Sequence, residues 1–139
     1  MKHQRFKDKV VVRIDKGEEI IASLKAVCKE QQIKTGSILG IGAVGKITIG
    51  LLNTNTKLYH SMELVGDHEL APIVGNITTK NGEPYLHLHA NVCNADQTSL
   101  GGHVSAAVVS VTCEIIIDVI EGTIERTYDS DMGINLFEF

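Results

Sequence analysis

The sequence predicts an α+β fold, a mainly antiparallel β-sheet with one principal helix packed on it. Three observations carry this. Apolar residues recur at helical spacing over one short stretch only, Ile20, Leu24, Val27 and Cys28. The rest of the chain is dominated by alternating or β-branched runs separated by turn residues. Between two of those runs stands Asn81-Gly82, a pair in which both residues tolerate positive φ and which therefore signals a hairpin.

Residues 10–14 form a short first strand. The helix follows over about residues 17–32, opened by Asp15 with Glu18 three residues on, the spacing of a capping box, and stopped by Gly36. Strands are then expected at 37–43, 46–52, 59–64, 73–79, 85–92 and 110–120. The run Gly40-Ile41-Gly42-Ala43-Val44-Gly45 matches G-x-G-x-x-G as text. A dinucleotide site needs a helix to open at those glycines, whereas Lys46-Ile47-Thr48-Ile49-Gly50 alternates as a strand does. The glycines are expected to allow a bulge and a close approach of neighbouring backbones.

At 139 residues the chain reads as a single domain, 1–139, without repeat or linker. Its net charge of −4, 4% aromatic content and lack of Trp argue against a basic nucleic-acid surface or an aromatic stacking platform. Lys2, Arg5, Lys7, Lys9 and Arg13 cluster near the N-terminus, where they suit a solvated strand edge better than a phosphate patch. The three cysteines, Cys28, Cys93 and Cys113, are an odd number without framework spacing, which fits a reduced, cytoplasmic chain. No apolar run approaches 18 residues and the N-terminus does not read as a signal peptide, so no membrane association is expected.

Chemistry concentrates in His87-Leu88-His89-Ala90 and in Gly101-Gly102-His103. Alternation in a strand puts His87 and His89 on one face and Leu86, Leu88 and Ala90 on the other. Their Cα atoms would be about 6.6 Å apart, a span that two imidazoles can bridge at about 2 Å from one ion. A return strand beginning at a Gly101-Gly102 turn would bring His103 beside them, giving three nitrogen ligands for Zn²⁺ with one coordination position open and ring nitrogens within about 4 Å of one another. Cys93 shares their parity but lies about 13 Å beyond His89, too far for a fourth ligand in an extended strand. A cupin reading of His-x-His fails because no Glu follows at the spacing it requires. Glu69 and Asp96 are the carboxylates kept as candidate general bases for a metal-activated water.

These segments resemble the PPC domain, a family named for its occurrence in plants and prokaryotes. The resemblance rests on Arg13-x-x-x-Gly17-Glu18-Glu19, Gly40-Ile41-Gly42-Ala43, Glu69 with Val74-Gly75-Asn76-Ile77, Asn81-Gly82-x-Pro84-x-Leu86-His87-Leu88-His89-Ala90 and Gly101-Gly102-His103. Glu114 before Ile115-Ile116-Ile117, and Arg126, also fall where that family has a glutamate and a late arginine. It spans residues 12–136. The resemblance implies a compact α+β domain assembling as a homotrimer, with zinc on His87, His89 and His103 as in some prokaryotic members. It also implies a tie to DNA, because plant relatives join this domain to AT-hook segments; this chain has no Arg-Gly-Arg-Pro hook.

Three functions follow in order of preference: a metal-binding homotrimer that takes a small ligand on the metal, a zinc-dependent hydrolase or lyase using Glu69 or Asp96, and a DNA-binding regulator. DNA binding, where it occurs, is expected to be weak and non-specific, since neither a hook nor a basic recognition helix is present.

Overall fold

The computed structural model describes residues 1–139. Eight strands and one helix run in the order β1 (Lys2–Phe6), β2 (Lys9–Asp15), α1 (Ile20–Glu30), β3 (Gly36–Leu52), β4 (Tyr59–Lys80), β5 (Glu83–Cys93), β6 (Ser99–Val119), β7 (Glu125–Asp129) and β8 (Ile134–Glu138). The α+β expectation therefore stands, but several predicted strands are parts of longer ones. Residues 37–43 and 46–52 are one strand, β3, and 59–64 and 73–79 lie in one strand, β4. Glycine in this chain bulges the ladder without ending it. Lys46 pairs with Val65 and Val44 with His68, so β4 carries one extra residue there, and Gly66 within that bulge holds φ +107. Gly40 and Gly42 serve the close approach foreseen for them: a Cβ on Gly42 would meet the Thr112 carbonyl oxygen at 2.4 Å.

The sheet order is β1-β2-β6-β3-β4-β7-β8, and β5 pairs with both β4 and β6. Because β3 also pairs with both β4 and β6, the path β3-β4-β5-β6 closes on itself. Closure divides the side chains of these strands into two sets. Inward-facing Ile73, Ile77, Leu88, Ala90, Val92, Val104, Cys113, Ile115 and Ile117 join α1 residues Ile20, Leu24, Val27 and Cys28 in one buried cluster of 24 residues. The outer set includes His87, His89 and His103. No helix is long and apolar enough to cross a membrane.

The helix is shorter than the sequence suggests and is capped differently. Its N-cap is Glu19, whose Oε2 accepts from the Ala22 N–H at 2.6 Å while Oε1 accepts from the Ala107 N–H of β6 at 3.0 Å. One carboxylate thus satisfies a helix-end donor and ties the helix to the sheet, which a capping box at Asp15 would not do. Glu18 instead closes the preceding turn, accepting from the Asp15 N–H at 2.8 Å. At the other end the stop is Gln32, not Gly36. Gln32 holds φ +55 while the Ile33 N–H donates to the Cys28 carbonyl and the Gln32 N–H to that of Lys29, a Schellman motif with Ile33 and Cys28 both buried. Because glycine adopts that backbone without strain, Gln32→Gly is expected to stabilise the chain by about 0.5 kcal/mol. Urea unfolding would read it as a higher midpoint at unchanged slope, and a lower midpoint would contradict it.

Two glycine-bearing segments bear on the site, one as expected and one not. Asn81 and Gly82 hold φ 53 and 78 and turn β4 into β5, as their pairing predicts. Gly101 and Gly102 do not form a turn. They lie inside β6, paired with Asn91 and Ala90, and the reversal is made at residues 94–98, where Asn94 Oδ1 accepts from the Asp96 and Thr98 N–H groups and Gln97 takes φ 60. The glycines are there because neighbours crowd them: a Cβ would lie 2.3 Å from Asn91 Oδ1 at Gly101 and 2.7 Å from the Gly50 carbonyl oxygen at Gly102.

Candidate metal centre

Strand alternation and the pairing of β5 with β6 assemble the three histidines. His89 and His103 are direct cross-strand partners, and His87 is two residues back on the same face. Their potential ligand atoms all lie within 4.8 Å of one another, and the Nε2 atoms of His87 and His89 are 3.2 Å apart. The ring centroids are separated by 5.1, 5.2 and 5.5 Å. This is a little looser than the separation expected from the sequence, and it leaves a single ion within reach of all three. Tyr59 sets an edge against the His103 ring at 6.1 Å between centroids.

The donors suit a divalent cation of borderline softness. Burial, then the nearby His103, His89 and Arg126, push His87 down to about 4, and burial pushes His103 down as well. Both are neutral at pH 7 and keep a lone pair to donate, as metal ligation requires. A bound ion would supply Lewis acidity and an exchangeable coordination position.

The same shifts predict how the metal-free protein responds to acid. Between pH 6.5 and about 4 the unfolded chain protonates His87 while the folded chain does not, so folding stability falls as pH falls through that window and is flat above it with respect to this group. Comparing urea midpoints of the metal-free protein and its His87→Gln variant at pH 7 and pH 4 checks this. The variant is expected to lose less on acidification, and an equal loss would contradict the assignment.

The other histidines are elsewhere. His3 Nε2 lies 3.3 Å from Glu30 Oε1, His68 Nδ1 bonds the Gly66 carbonyl at 2.8 Å, and His60 is exposed opposite Leu51. Cys93 lies away from the cluster, as its distance along the strand implies, opposite Glu69 and Ser99. The two candidate bases are not brought to the histidines. Glu69 borders a different depression, with Asp67, His68 and Cys93, and Asp96 sits in the 94–98 turn. Both belong to the far end of the β4-β5-β6 ladder, several residues beyond His89.

The cluster instead opens on a cleft of about 400 Å³ that also takes in Tyr59, Tyr85, Arg126 and Asn135. Arg126, on β7, is 7% exposed. Its Nε donates to Thr78 Oγ1 at 2.8 Å, Nη1 to the Asn135 carbonyl at 2.7 Å and Nη2 to Asn76 Oδ1 at 2.8 Å, and its guanidinium lies 4.7 Å and 4.5 Å from the Tyr85 and Phe137 ring centroids. In the sequence Arg126 stands out only through the family resemblance. Its partners are 9 to 50 residues away along the chain, so no local pattern marks it.

Fold and cluster together define a class: a small α+β protein with a closed ring of antiparallel strands that carries a His-x-His pair and a third cross-strand histidine on its outer face. The chain belongs to the Plants and Prokaryotes Conserved (PCC) domain family, whose profile matches residues 1–121. It is similar over 99% of its length to a candidate DNA-binding protein from Bacteroides thetaiotaomicron, at 36% identity, 96% coverage of that chain and a TM-score of 0.96. It resembles equally fully a plant- and prokaryote-conserved protein from Pyrococcus horikoshii, at 30% identity, 94% coverage of that chain and a TM-score of 0.87. A metal-containing protein from Archaeoglobus fulgidus shares 27% identity, with 99% of this chain and 97% of that one covered and a TM-score of 0.89. No curated protein matches the chain in sequence.

Proposed function

We propose that this is a metal-binding homotrimer in which His87, His89 and His103 hold one divalent ion, zinc by the chemistry of the ligand set, and leave a coordination position for a small ligand from the cleft. The observation that carries this reading is the convergence of three ligand atoms within 4.8 Å from two different strands. The metal-containing description of the Archaeoglobus relative is in keeping with it.

The trimer is supported by the outer face. Val11, Ile116, Leu39 and Val74 are consecutive partners across β2, β6, β3 and β4, and all four are 40–57% exposed. The row runs on from Val74 to His89. Four apolar side chains in one uncovered line are what an interface between copies requires. A single 1–139 domain fits the one buried cluster, and a cytoplasmic setting fits three unpaired cysteines. Elemental analysis of the purified protein is expected to find about one zinc per chain, and light scattering a mass about three times 15.1 kDa. A metal-free protein that takes up no zinc on supplementation, or a monomer at micromolar concentration, would refute the respective half.

DNA is the second reading, favoured by the Bacteroides relative's description. The basic residues near the N-terminus are largely engaged. Lys9 pairs with Asp8 and Asp118, Arg13 with Asp15, and Arg5 donates to the Gln31 and Lys7 carbonyls. Binding is therefore expected to be weak and indifferent to sequence. Competition between AT-rich and GC-rich duplexes at near-physiological salt reads this, and strong discrimination between them would put DNA first.

A further inference from the structure

We propose that the cleft is a receptor for a small organic carboxylate, gripped by the Arg126 guanidinium at one end and offering a second oxygen to the metal on His87, His89 and His103 at the other. The proposal deepens the metal reading above and rests on it.

The cleft holds a charge without a counterion. Arg126 is more than nine-tenths buried, yet it forms no salt bridge and its three hydrogen bonds all go to neutral oxygens. A guanidinium carries five N–H groups, so one on each Nη nitrogen remains unassigned. Among the thirteen residues around the cleft there is no Asp or Glu. Burying an unpaired cation is expensive, and a divalent ion on the adjacent histidines would add further positive charge to the same space. The protein as a whole is acidic, at −4, so the absence of a carboxylate here is local. An anion from solution is what this cleft lacks.

The chemistry of the walls selects the kind of anion. Tyr85 and Phe137 lie against the guanidinium 4.7 and 4.5 Å from its carbon, which holds its plane fixed and leaves its edges as the donors. A planar fork of that kind matches a carboxylate. Phosphate sites characteristically add a helix N-terminus or a nest of backbone N–H groups, whereas the cleft is built mainly from strands, and Lys80 beside it already donates to Asn135 Oδ1. Leu51, Leu52 and Ile134 supply an apolar flank for a short carbon body.

The test uses the intact protein after zinc loading has been verified by elemental analysis. Lactate, its uncharged amide and inorganic phosphate are titrated separately by calorimetry. Lactate is expected to bind at least about 10-fold more tightly than the amide, the difference that a charge-assisted pair supplies. Arg126→Gln is expected to erase that preference while the zinc content stays unchanged. Should that variant fail to fold, Arg126→Lys, which keeps the charge but not the planar fork, is measured in its place and is expected to weaken lactate binding at unchanged zinc content. Equal affinity for the two, or no binding of either, overturns the carboxylate proposal and leaves the metal reading intact; tighter binding of phosphate overturns the choice of anion. Failure to load zinc overturns the metal reading and, with it, the two-point receptor.

Discussion

Replacing His89 with alanine is expected to reduce bound zinc from about one per chain to less than about a tenth, with affinity lowered by more than about 100-fold, since even groups that only orient a ligand are worth 10- to 100-fold. His89 is the informative choice because it is the exposed member of the three, while His87 and His103 are half-buried. Its removal costs the core nothing, and folding stability of the metal-free protein should change by no more than about 0.5 kcal/mol. A companion change, His68→Ala, alters a histidine whose contact is the Gly66 carbonyl, and its zinc content should be that of the parent. Elemental analysis of the two variants side by side, with thermal unfolding followed by circular dichroism, separates lost ligation from lost structure. Unchanged zinc in His89→Ala would remove this residue from the ligand set.

Gly75→Ala is expected to be the most damaging single methyl group in the molecule. Gly75 faces Leu88 across the β4-β5 ladder, and a Cβ there would sit 2.0 Å from the His87 carbonyl oxygen and 2.8 Å from Leu88 Cδ2. The first neighbour is backbone and cannot rotate away, so the two strands must part at the very residue that carries the first histidine. Overpacking of this kind costs about 3 kcal/mol, which for a chain of this size lowers the melting temperature by roughly 10 °C. Zinc affinity should fall with it, because His87 loses its register with His89. Gly45→Ala is the matched control. Its Cβ would meet only Ser110 Cβ at 3.4 Å, and its stability should stay within about 1 kcal/mol of the parent. Equal melting temperatures for the two variants would show that the β4-β5 contact is not as close as described.

The contrast between these two glycines marks how far the sequence could be read. Glycine inside a β-run signalled a bulge or a close approach, and Gly40, Gly42 and Gly75 make such approaches. Which glycine was crowded by backbone and which faced open space depended on the strand opposite. The same limit explains Gly101-Gly102, where a glycine pair suggests a turn by local chemistry while the crowding comes from Gly50 and Asn91 on neighbouring strands. The short strands β1 and β8 carry mixed, largely exposed residues and β7 buries an arginine in place of an apolar side chain, so no alternation of apolar and polar side chains announces them. In the sequence β3 splits around Gly45 and β4 around Gly66, because a single sequence cannot tell a bulge from an end, and β6 begins only at residue 110 where the structure begins it at Ser99.

What the sequence determined by itself is what depends on neighbours along the chain. The helix position follows from 3.6-residue periodicity, the β4-β5 hairpin from two residues that accept positive φ, and the common face of His87 and His89 from strand alternation. Tertiary structure alone decided whatever needed a partner strand. It set His103 directly opposite His89, brought Arg126 from β7 into the histidine cleft, left Glu69 and Asp96 at the other end of the ladder, and chose Glu19 as the helix cap because β6 supplied a second donor for its carboxylate. The physical reason is common to all four. A side chain's direction is set by its own backbone, but its distance to another element is set by how the elements pair and pack: closure of the β3-β4-β5-β6 ring for His103, Glu69 and Asp96, the β4-β7 pairing for Arg126, and the packing of α1 on the buried apolar cluster for Glu19.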